Sequence, residues 1–382
     1  MTGPEELLSD TLRERVDHRD VPSTPMSEVV GTARRIRRGR RIRNGVVAAV
    51  VVGVLATPFV IDAANRPGAD PQPTDPSPTA PAPDVRLADV ALGEPPAVPW
   101  IDGSDYVAAD GTRTTLPIAD VTNATPYRGG FLVASYTDDT GRLTLLDDQL
   151  RQVWRTCGWP TFAVSQDRTS TAYVAGGCRG TPTTLHLGRT DGSGAEQTWP
   201  TGDFGPVGIL GAGVVTSSFN EGPPNLVHLT GGTTPLDALR IASGVEPQGD
   251  LVSGQLAGDG QQRFTGAVLD TRTGAVKWSR LGWNLYSFSP DGSMVVGVQP
   301  GPDLGLGVFD AQTGDQLHEF ALPAGLAFRR VVWEDDEHLL MQATQGRTQA
   351  LLRTTLDGAI QRASEVAPYV RDSTDYRYRL AP

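Results

Sequence analysis

The longest apolar run of the chain covers residues 45–61, which read GVVAAVVVGVLATPFVI without a charged residue. A helix rises 1.5 Å per residue, so this run measures about 25 Å, close to the roughly 30 Å hydrocarbon core of a bilayer. Val, Ala and Gly occupy every face of such a helix, whereas a core helix of a soluble domain keeps a polar stripe. The pattern predicts a transmembrane helix over residues 45–64.

A cluster of arginines lies immediately before this run and sets its predicted orientation. The cluster comprises Arg34, Arg35, Arg37, Arg38, Arg40, Arg41 and Arg43, whereas Arg66 is the nearby basic residue on the other side. Because basic residues favour the cytoplasmic side, the N-terminus is predicted to be cytoplasmic and the large domain extracytoplasmic. The forty-odd residues that precede the run favour an uncleaved anchor over a signal peptide. We therefore expect a single-pass protein of the cell membrane.

Two shorter segments flank the anchor. In the predicted cytoplasmic tail, residues 1–44, the stretch EELLSDTLRERV at 5–16 has its apolar residues at helical spacing, which favours a short amphipathic helix. This helix either docks a cytoplasmic protein or belongs to a weakly ordered tail. After the anchor, residues 65–96 are predicted to form a linker, since ten prolines between positions 67 and 99 favour a semi-rigid extended spacer.

Polar turn pairs recur at intervals near forty residues along the remaining chain, residues 97–382. Each pair stands between two short segments of alternating apolar and polar residues, as in LTLLDDQLRQVW at 143–154, which is typical of a β-hairpin. The seven pairs are Asp110-Gly111, Asp147-Asp148, Asp191-Gly192, Gly231-Gly232, Thr273-Gly274, Thr313-Gly314 and Asp357-Gly358. Seven markers predict seven structural repeats.

Two of these repeats share a longer motif, and one contains a second turn. LDTRTGAVKW at 269–278 and FDAQTGDQLHEF at 309–320 share an Asp-x-x-Thr-Gly turn, with the motif residues Asp270, Thr273, Gly274, Asp310, Thr313 and Gly314. In LYSFSPDGSMVVGVQ at 285–299, the turn residues are Ser289, Pro290, Asp291 and Gly292. Four strands per forty residues describe a propeller blade, so we expect an all-β domain, a seven-bladed β-propeller.

These motifs resemble known propellers. SFSPDGSMVVGV is similar to the turn of WD40-like and TolB-like propellers, and the Asp-x-x-Thr-Gly segments, the first of which ends in Lys277-Trp278, resemble blades of quinoprotein (pyrroloquinoline-quinone-type) and BamB-like propellers. The resemblance implies a seven-bladed propeller over residues 97–382. A closed ring needs a strand from the other terminus, and residues 106–108 or the tail at 376–380 could supply it.

The N-terminal organisation also resembles a known group. An acidic amphipathic helix, an Arg cluster and an anchor are similar to the N-termini of actinobacterial single-pass membrane proteins, including some anti-sigma factors. The zinc-binding pattern of many anti-sigma domains is missing, because residues 1–44 contain no Cys. A chain with one Lys, Lys277, among its 33 basic residues also fits a GC-rich bacterial source.

The charge distribution excludes one class of partner. The formal net charge is -11, but residues 1–44 carry ten Arg against seven Asp and Glu, so that segment is +3 and the rest is -14. A nucleic-acid surface on the large domain is therefore not expected.

Few residues suggest chemistry. Quinone-dependent dehydrogenases have an adjacent Cys pair, whereas this chain has Cys157 and Cys178, so the resemblance brings no cofactor with it. In an oxidising location these two are predicted to form a disulfide, with two buried free thiols as the alternative. The five His are isolated on separate units of the chain, so neither a metal site nor a catalytic residue is predicted. Trp159 and Trp283, each beside a Gly, either pack between blades or line a binding face.

These features predict a non-enzymatic binding or scaffolding propeller outside the membrane, with a protein or small ligand at one propeller face. The alternative is a transmembrane regulator of the anti-sigma type, whose tail binds a cytoplasmic protein while the propeller senses. A third class, an envelope hydrolase, would need a cluster of ionisable residues at one mouth of the central channel.

Overall fold

The structure is a computed structural model that describes residues 85–137, 140–177, 182–202, 204–218, 222–258, 264–300, 305–323, 325–369 and 376–381. All of them belong to one compact unit, Gly68–Pro382. The predicted tail, the predicted membrane helix and the linker up to residue 84 lie outside the described residues. Within the described ranges, no helix has the length and apolar character needed to cross a membrane. The helical element found there is a 3-10 turn, Leu87–Asp89.

Antiparallel strands make up six sheets in the described part of the chain. Sheet I contains β1 (Trp100–Asp102), β2 (Asp105–Val107), β3 (Arg113–Thr115) and β28 (Tyr378–Leu380). Sheet II contains β4 (Val121–Tyr127), β5 (Gly130–Thr137), β6 (Thr140–Leu146), β7 (Gln152–Val164), β8 (Ser170–Ala175), β9 (Thr183–Arg189) and β10 (Gln197–Thr201). Sheet III contains β11 (Gly205–Leu210), β12 (Gly213–Ser217), β13 (Asn225–His228) and β14 (Thr233–Pro235).

The remaining three sheets follow in chain order. Sheet IV contains β15 (Leu239–Val245), β16 (Leu251–Leu256), β17 (Thr265–Asp270) and β18 (Ala275–Leu281). Sheet V contains β19 (Asn284–Phe288), β20 (Met294–Gln299), β21 (Gly305–Asp310) and β22 (Gln316–Ala321). Sheet VI contains β23 (Leu326–Trp333), β24 (His338–Gln345), β25 (Thr348–Thr355), β26 (Ile360–Arg362) and β27 (Ala367–Pro368), which pairs with β25.

The middle strands of each sheet are buried on both faces because neighbouring sheets pack against each side. Val295 and Val296 of β20, which point to opposite faces, are both fully buried, as are Leu339 and Leu340 of β24. In the sequence, such strands are continuous runs of apolar residues and do not alternate between apolar and polar residues.

Shared hydrophobic cores connect the sheets into a ring. Sheets I and II share one core, and others join II to III, III to IV, IV to V, V to VI and VI back to I. Radial packing of this kind, with each sheet in contact with its two neighbours, is the architecture of a β-propeller. The predicted all-β propeller fold is therefore confirmed.

The prediction of a seven-bladed propeller is wrong, because in the described part of the chain five sheets form separate blades and sheet II is one continuous sheet of seven strands. Two of the predicted turn pairs, Asp147-Asp148 and Asp191-Gly192, lie in this sheet. The reason is β7, whose 13 residues pair with β6 through their first half and with β8 through their second half. A register shift between Gly158 and Phe162 replaces the turn that would have separated two blades.

The C-terminal strand closes the ring. Strand β28 pairs with β1, so that Trp100 lies opposite Leu380 and Asp102 opposite Tyr378. Of the two segments that could have supplied the closing strand, the tail does so, and Tyr106 lies in β2 of the same sheet.

Residues 85–99, most of which were assigned to the linker, contact sheet VI. Leu87 is 1% exposed within the core that sheets V and VI share. Arg353 of β25 donates to the carbonyls of Glu94 and Pro95 at 3.1 and 2.9 Å, and its guanidinium also pairs with Glu334, which is 3% exposed. The segment is thus held to the last sheet before the chain enters β1.

Candidate functional site

The Asp-x-x-Thr-Gly motifs form hairpin turns. The Asp270 carboxylate accepts hydrogen bonds from the backbone of Arg272 and Thr273 at 2.9 and 3.3 Å, between β17 and β18. Asp310 accepts in the same way from the backbone of Gln312 and Thr313, between β21 and β22, both at 2.8 Å. The carboxylates therefore satisfy the turn backbone.

The two motifs also pack on each other across neighbouring sheets. Trp278, which ends the first motif, donates from Nε1 to the Ala311 carbonyl at 2.9 Å. Its ring lies against Gly314 of the second motif, where a Cβ atom would clash with the indole. Gly314 has a φ of +78°, and the equivalent Gly274 of the first motif has a φ of +71°. The motif therefore has a structural role, because the turn of one blade packs against the tryptophan of the preceding blade.

The turn at Ser289, Pro290, Asp291 and Gly292 has the same internal geometry. The Ser289 hydroxyl donates to Asp291 at 2.6 Å and accepts from the Met294 backbone at 2.9 Å. Residues 165–170 repeat these bonds between β7 and β8, with Arg168 at φ +56° in the position that Gly292 occupies at +77°.

The predicted tryptophan and cysteine features have different outcomes. Trp283 is 1% exposed and packs edge-on against Phe309, so it does not line a binding face. Cys157 is disulfide-bonded. Cys178 lies outside the described residues, as do the arginines at 34–43, so the pairing of the two cysteines and the orientation of the anchor stay predictions.

A cavity with a volume of about 960 Å³ lies in the central channel. We call it the channel cavity. Its walls come from strands of sheets I, II, III, IV and VI, at the end where several inner strands begin. The lining comprises Asp120, Thr122, Asn123, Tyr136, Thr161, Phe162, Pro206, Val207, Ala242, Ser243, Arg329, Arg330, Gln342, Tyr376, Arg379 and Leu380.

Three arginines make the channel cavity cationic. Arg329 and Arg330 come from β23 and Arg379 comes from β28, whereas Asp120 is the one acidic residue of the lining. These residues give the lining a formal charge of +2 in a chain whose net charge is -11. A cationic cavity in an acidic chain concentrates anions at that place.

The arginine contacts fix where the guanidinium groups lie. Arg330 donates from Nη1 to the Leu380 carbonyl at 2.8 Å, and Arg379 donates from Nη1 to the Val121 carbonyl at 2.5 Å. The guanidinium of Arg329 lies 4.9 Å from the ring centre of Tyr376. Burial lowers the pKa of the Arg330 guanidinium, although part of the residue is accessible from the cavity.

One wall of the channel cavity is cationic and the other is neutral. The arginine wall is formed by β23, β28 and β4, which belong to the consecutive sheets VI, I and II. The remaining wall presents Phe162 of β7, Val207 of β11 and Ala242 of β15. The cavity is therefore suited to a ligand with an anionic side and an apolar side.

Asn123 adds an unused polar group to the arginine wall. The residue is 3% exposed, and among the described residues its Oδ1 atom has no hydrogen-bond partner. Buried amide oxygens in proteins nearly always have a partner. Asn123 is therefore a lining residue with an unused hydrogen-bond acceptor.

A second polar cluster lies in sheet II around Glu196. Its Oε1 atom accepts from the hydroxyls of Tyr127 and Tyr173, both at 2.8 Å, and its Oε2 atom lies 3.1 Å from Nδ1 of His186. Burial alone would raise the pKa of Glu196, but hydrogen bonds from His186 and the two tyrosines outweigh it and lower the pKa to about 2. Burial and the neighbouring carboxylate raise the pKa of Tyr127 to about 12. Since these groups satisfy one another, the cluster is a structural network.

The described residues hold no group of three or more His, Cys, Asp or Glu that could bind a metal ion. The channel arginines and Asn123 were not identified from the sequence. The one available signal was the Arg-Arg pair at 329–330 within an otherwise apolar strand.

No protein-family model matches the chain, and no curated protein matches it. Solved structures do. The β-propeller domain of Swd1 from Myceliophteria thermophila is 12% identical over 66% of this chain and 88% of that one, with a TM-score of 0.47. BamB from Moraxella catarrhalis is 14% identical over 71% and 78%, with a TM-score of 0.42. Hydrazine synthase from Kuenenia stuttgartiensis is 13% identical over 65% and 80%, with a TM-score of 0.44. The likeness to WD40-type and BamB-type propellers concerns the fold alone.

Proposed function

We propose that this chain is a membrane-anchored, extracytoplasmic binding protein whose propeller takes an anionic ligand into the channel cavity without transforming it. The main support is Arg330. Within the described part of the chain no carboxylate forms an ion pair with it, and its one hydrogen bond goes to the Leu380 carbonyl. Arg330 is half-buried, and a cation without a counter-charge is unfavourable in such a place, so an anion that fills the cavity would supply the missing partner.

The composition of the lining favours binding over hydrolysis. Asp120 is its one carboxylate, and its residues include no His and no Cys. Hydrolysis of a glycosidic or acyl bond generally needs a paired acid and base or an activated nucleophile. The ionisable groups of the lining are mainly arginines, which bind anions but do not move protons at neutral pH.

Anchoring in the membrane is supported by the sequence. The apolar run at 45–61 and the seven arginines before it are the basis of the proposed single-pass topology. In this arrangement the propeller is outside the cytoplasm and meets ligands of the cell envelope.

The test uses the full-length protein in detergent and citrate as the probe, with binding followed by isothermal titration calorimetry at constant ionic strength. We expect wild type to bind citrate and Arg330→Met to bind it about 10- to 100-fold more weakly, since a hydrogen bond to a charged group contributes about 1.5–3 kcal/mol. Absence of citrate binding to wild type would overturn the proposal.

Arg272→Met is the matched control. Arg272 is 72% exposed in its side chain and pairs with Asp250, away from the cavity lining. The Arg272→Met variant should bind citrate as tightly as the wild-type protein does. An equal loss of binding in Arg272→Met and Arg330→Met would mean that the probe responds to total charge, and the channel site would be wrong.

A further inference from the structure

The geometry points to a peptide that presents a carboxylate as the ligand of the channel cavity, and this inference rests on the proposed function. Three independent features of the walls lead to it. They are the arginine wall, the amide oxygen of Asn123, which has no partner among the described residues, and the sheet edges that the inner strands form.

The arginine wall is suited to a carboxylate. Arg330 uses Nη1 for the Leu380 carbonyl, which leaves Nε and Nη2 for a ligand. Two parallel N–H groups of a guanidinium match the two oxygens of a carboxylate, and such bidentate pairs are short and strong. Arg330 is hydrogen-bonded to the strand that carries Arg379, because Leu380, which accepts from Arg330, directly follows Arg379.

Asn123 selects a second feature of the ligand. A primary amide offers an N–H donor beside a C=O acceptor, and this pair is complementary to the C=O and N–H of a peptide group. Asn123 lies on the same strand as Val121, whose carbonyl accepts from Arg379. A peptide unit next to a carboxylate could therefore contact Asn123 while the carboxylate contacts the arginines.

The sheet edges supply further main-chain partners. Strands β4, β11, β15 and β23 are edge strands of sheet II, III, IV and VI, and each contributes residues to the cavity lining. An edge strand has one row of backbone N–H and C=O groups outside the ladder, which an extended peptide can use. The neutral wall at Phe162, Val207 and Ala242 would accommodate apolar side chains of that peptide.

The experiment measures retention of three pentapeptide libraries by the full-length protein, with mass spectrometry as the readout. The first library has free carboxyl termini and no acidic side chains. The second is the same set with amidated termini, and the third is amidated with a central Asp. We expect retention of the first or the third library, and about 10-fold less of the second, because it has lost the charge-assisted hydrogen bonds. The first and third libraries distinguish a chain terminus from an acidic side chain as the source of the carboxylate.

Two variants separate this inference from the proposed function. Arg330→Met should lose both citrate and peptide, whereas Asn123→Leu should retain citrate and lose peptide about 10-fold. Thr144→Val is the matched control, because Thr144 is a buried residue whose hydroxyl is also without a partner in the described structure but lies outside the cavity lining. If Asn123→Leu does not fold, Asn123→Ala replaces it.

Equal retention of all three libraries, or unchanged peptide binding by Asn123→Leu, would overturn the peptide assignment. In both cases citrate binding that depends on Arg330 would still support the proposed function. Absence of citrate binding by the wild-type protein would overturn both the peptide assignment and the proposed function.

Discussion

At the scale of single residues, Glu196 is the clearest example of an electrostatic contribution to stability. It is 20% exposed in its side chain and accepts from two tyrosines, with Arg128 at 3.5 Å as a further cation. Gly188 is part of the arrangement, since a Cβ atom there would clash with the Tyr127 hydroxyl. The network therefore needs a small residue on β9 as well as the polar groups.

We expect Glu196 to make the fold sensitive to acid. Its pKa falls from an ordinary value of 4.5 to about 2 in the folded chain. A lowered carboxyl pKa stabilises the fold fully above about pH 4.5, and this contribution is lost as the pH falls towards about 2. The loss should be on the order of 2–3 kcal/mol, less than the roughly 3.4 kcal/mol of the full shift, because solvent partly screens this carboxylate. Urea unfolding midpoints across this pH range will show a smaller pH dependence in Glu196→Gln.

Glu365→Gln is the control for this measurement, because its side chain is 75% exposed. It should keep the wild-type pH dependence. If Glu196→Gln also keeps it, the network does not titrate as described.

At the scale of structural elements, residues 85–99 and β28 bring both ends of the domain to sheets VI and I. The segment 85–99 is held by Arg353, whose side chain is 7% exposed and donates from Nη2 to Glu334 at 2.7 Å. The hydrogen bond with Glu334 raises the pKa of the Arg353 guanidinium, so the pair stays charged. Arg353 thus differs from Arg330, which has a carbonyl partner and no carboxylate.

Removing one member of this buried pair should destabilise the domain strongly. We expect Arg353→Met to lower the free energy of unfolding by about 3–5 kcal/mol, because Glu334 would remain as an uncompensated buried charge. The measurement is urea denaturation of the full chain. The double variant Arg353→Met with Glu334→Leu should recover part of the loss, whereas Arg272→Met, at an exposed pair, should change it by about 0–1 kcal/mol. A loss below about 1 kcal/mol in Arg353→Met would contradict the role of the pair.

At the scale of the whole molecule, the channel cavity and the predicted tail are separate in sequence. Every residue of the channel cavity lies between positions 120 and 380, and the predicted cytoplasmic helix lies at 5–16. We expect that replacing residues 1–30 with an unrelated basic segment leaves citrate binding unchanged within about twofold, which is well under 1 kcal/mol.

Cross-linking in the native host, with the native tail and with the replaced tail, shows which proteins each version contacts. If the same envelope proteins are captured with either tail, the propeller is the working part of the molecule. If a cytoplasmic protein is captured only with the native tail, the chain is instead a transmembrane regulator of the anti-sigma type.

The sequence by itself determined the repeated hairpins, because turn chemistry and apolar alternation act over a few residues. Each of the seven predicted turn pairs lies in a turn between adjacent strands, and the Asp-x-x-Thr-Gly motifs form turns at the predicted positions. The anchor, the linker up to residue 84 and the disulfide partner of Cys157 stay predictions.

Only the tertiary structure decided how these hairpins join and what they enclose. The extended path of β7 joins two repeats in one sheet. Although Gly158 and Pro160 lie at its register shift, they belong to a continuous strand that pairs with both β6 and β8. Which of the two candidate segments closes the ring is decided by the complete fold, in which β28 pairs with β1. Asn123, Arg330 and Arg379 are far apart in the chain, and they share one cavity because ring closure brings sheets II, VI and I together. Contacts between distant residues depend on this closure, and no local pattern encodes them.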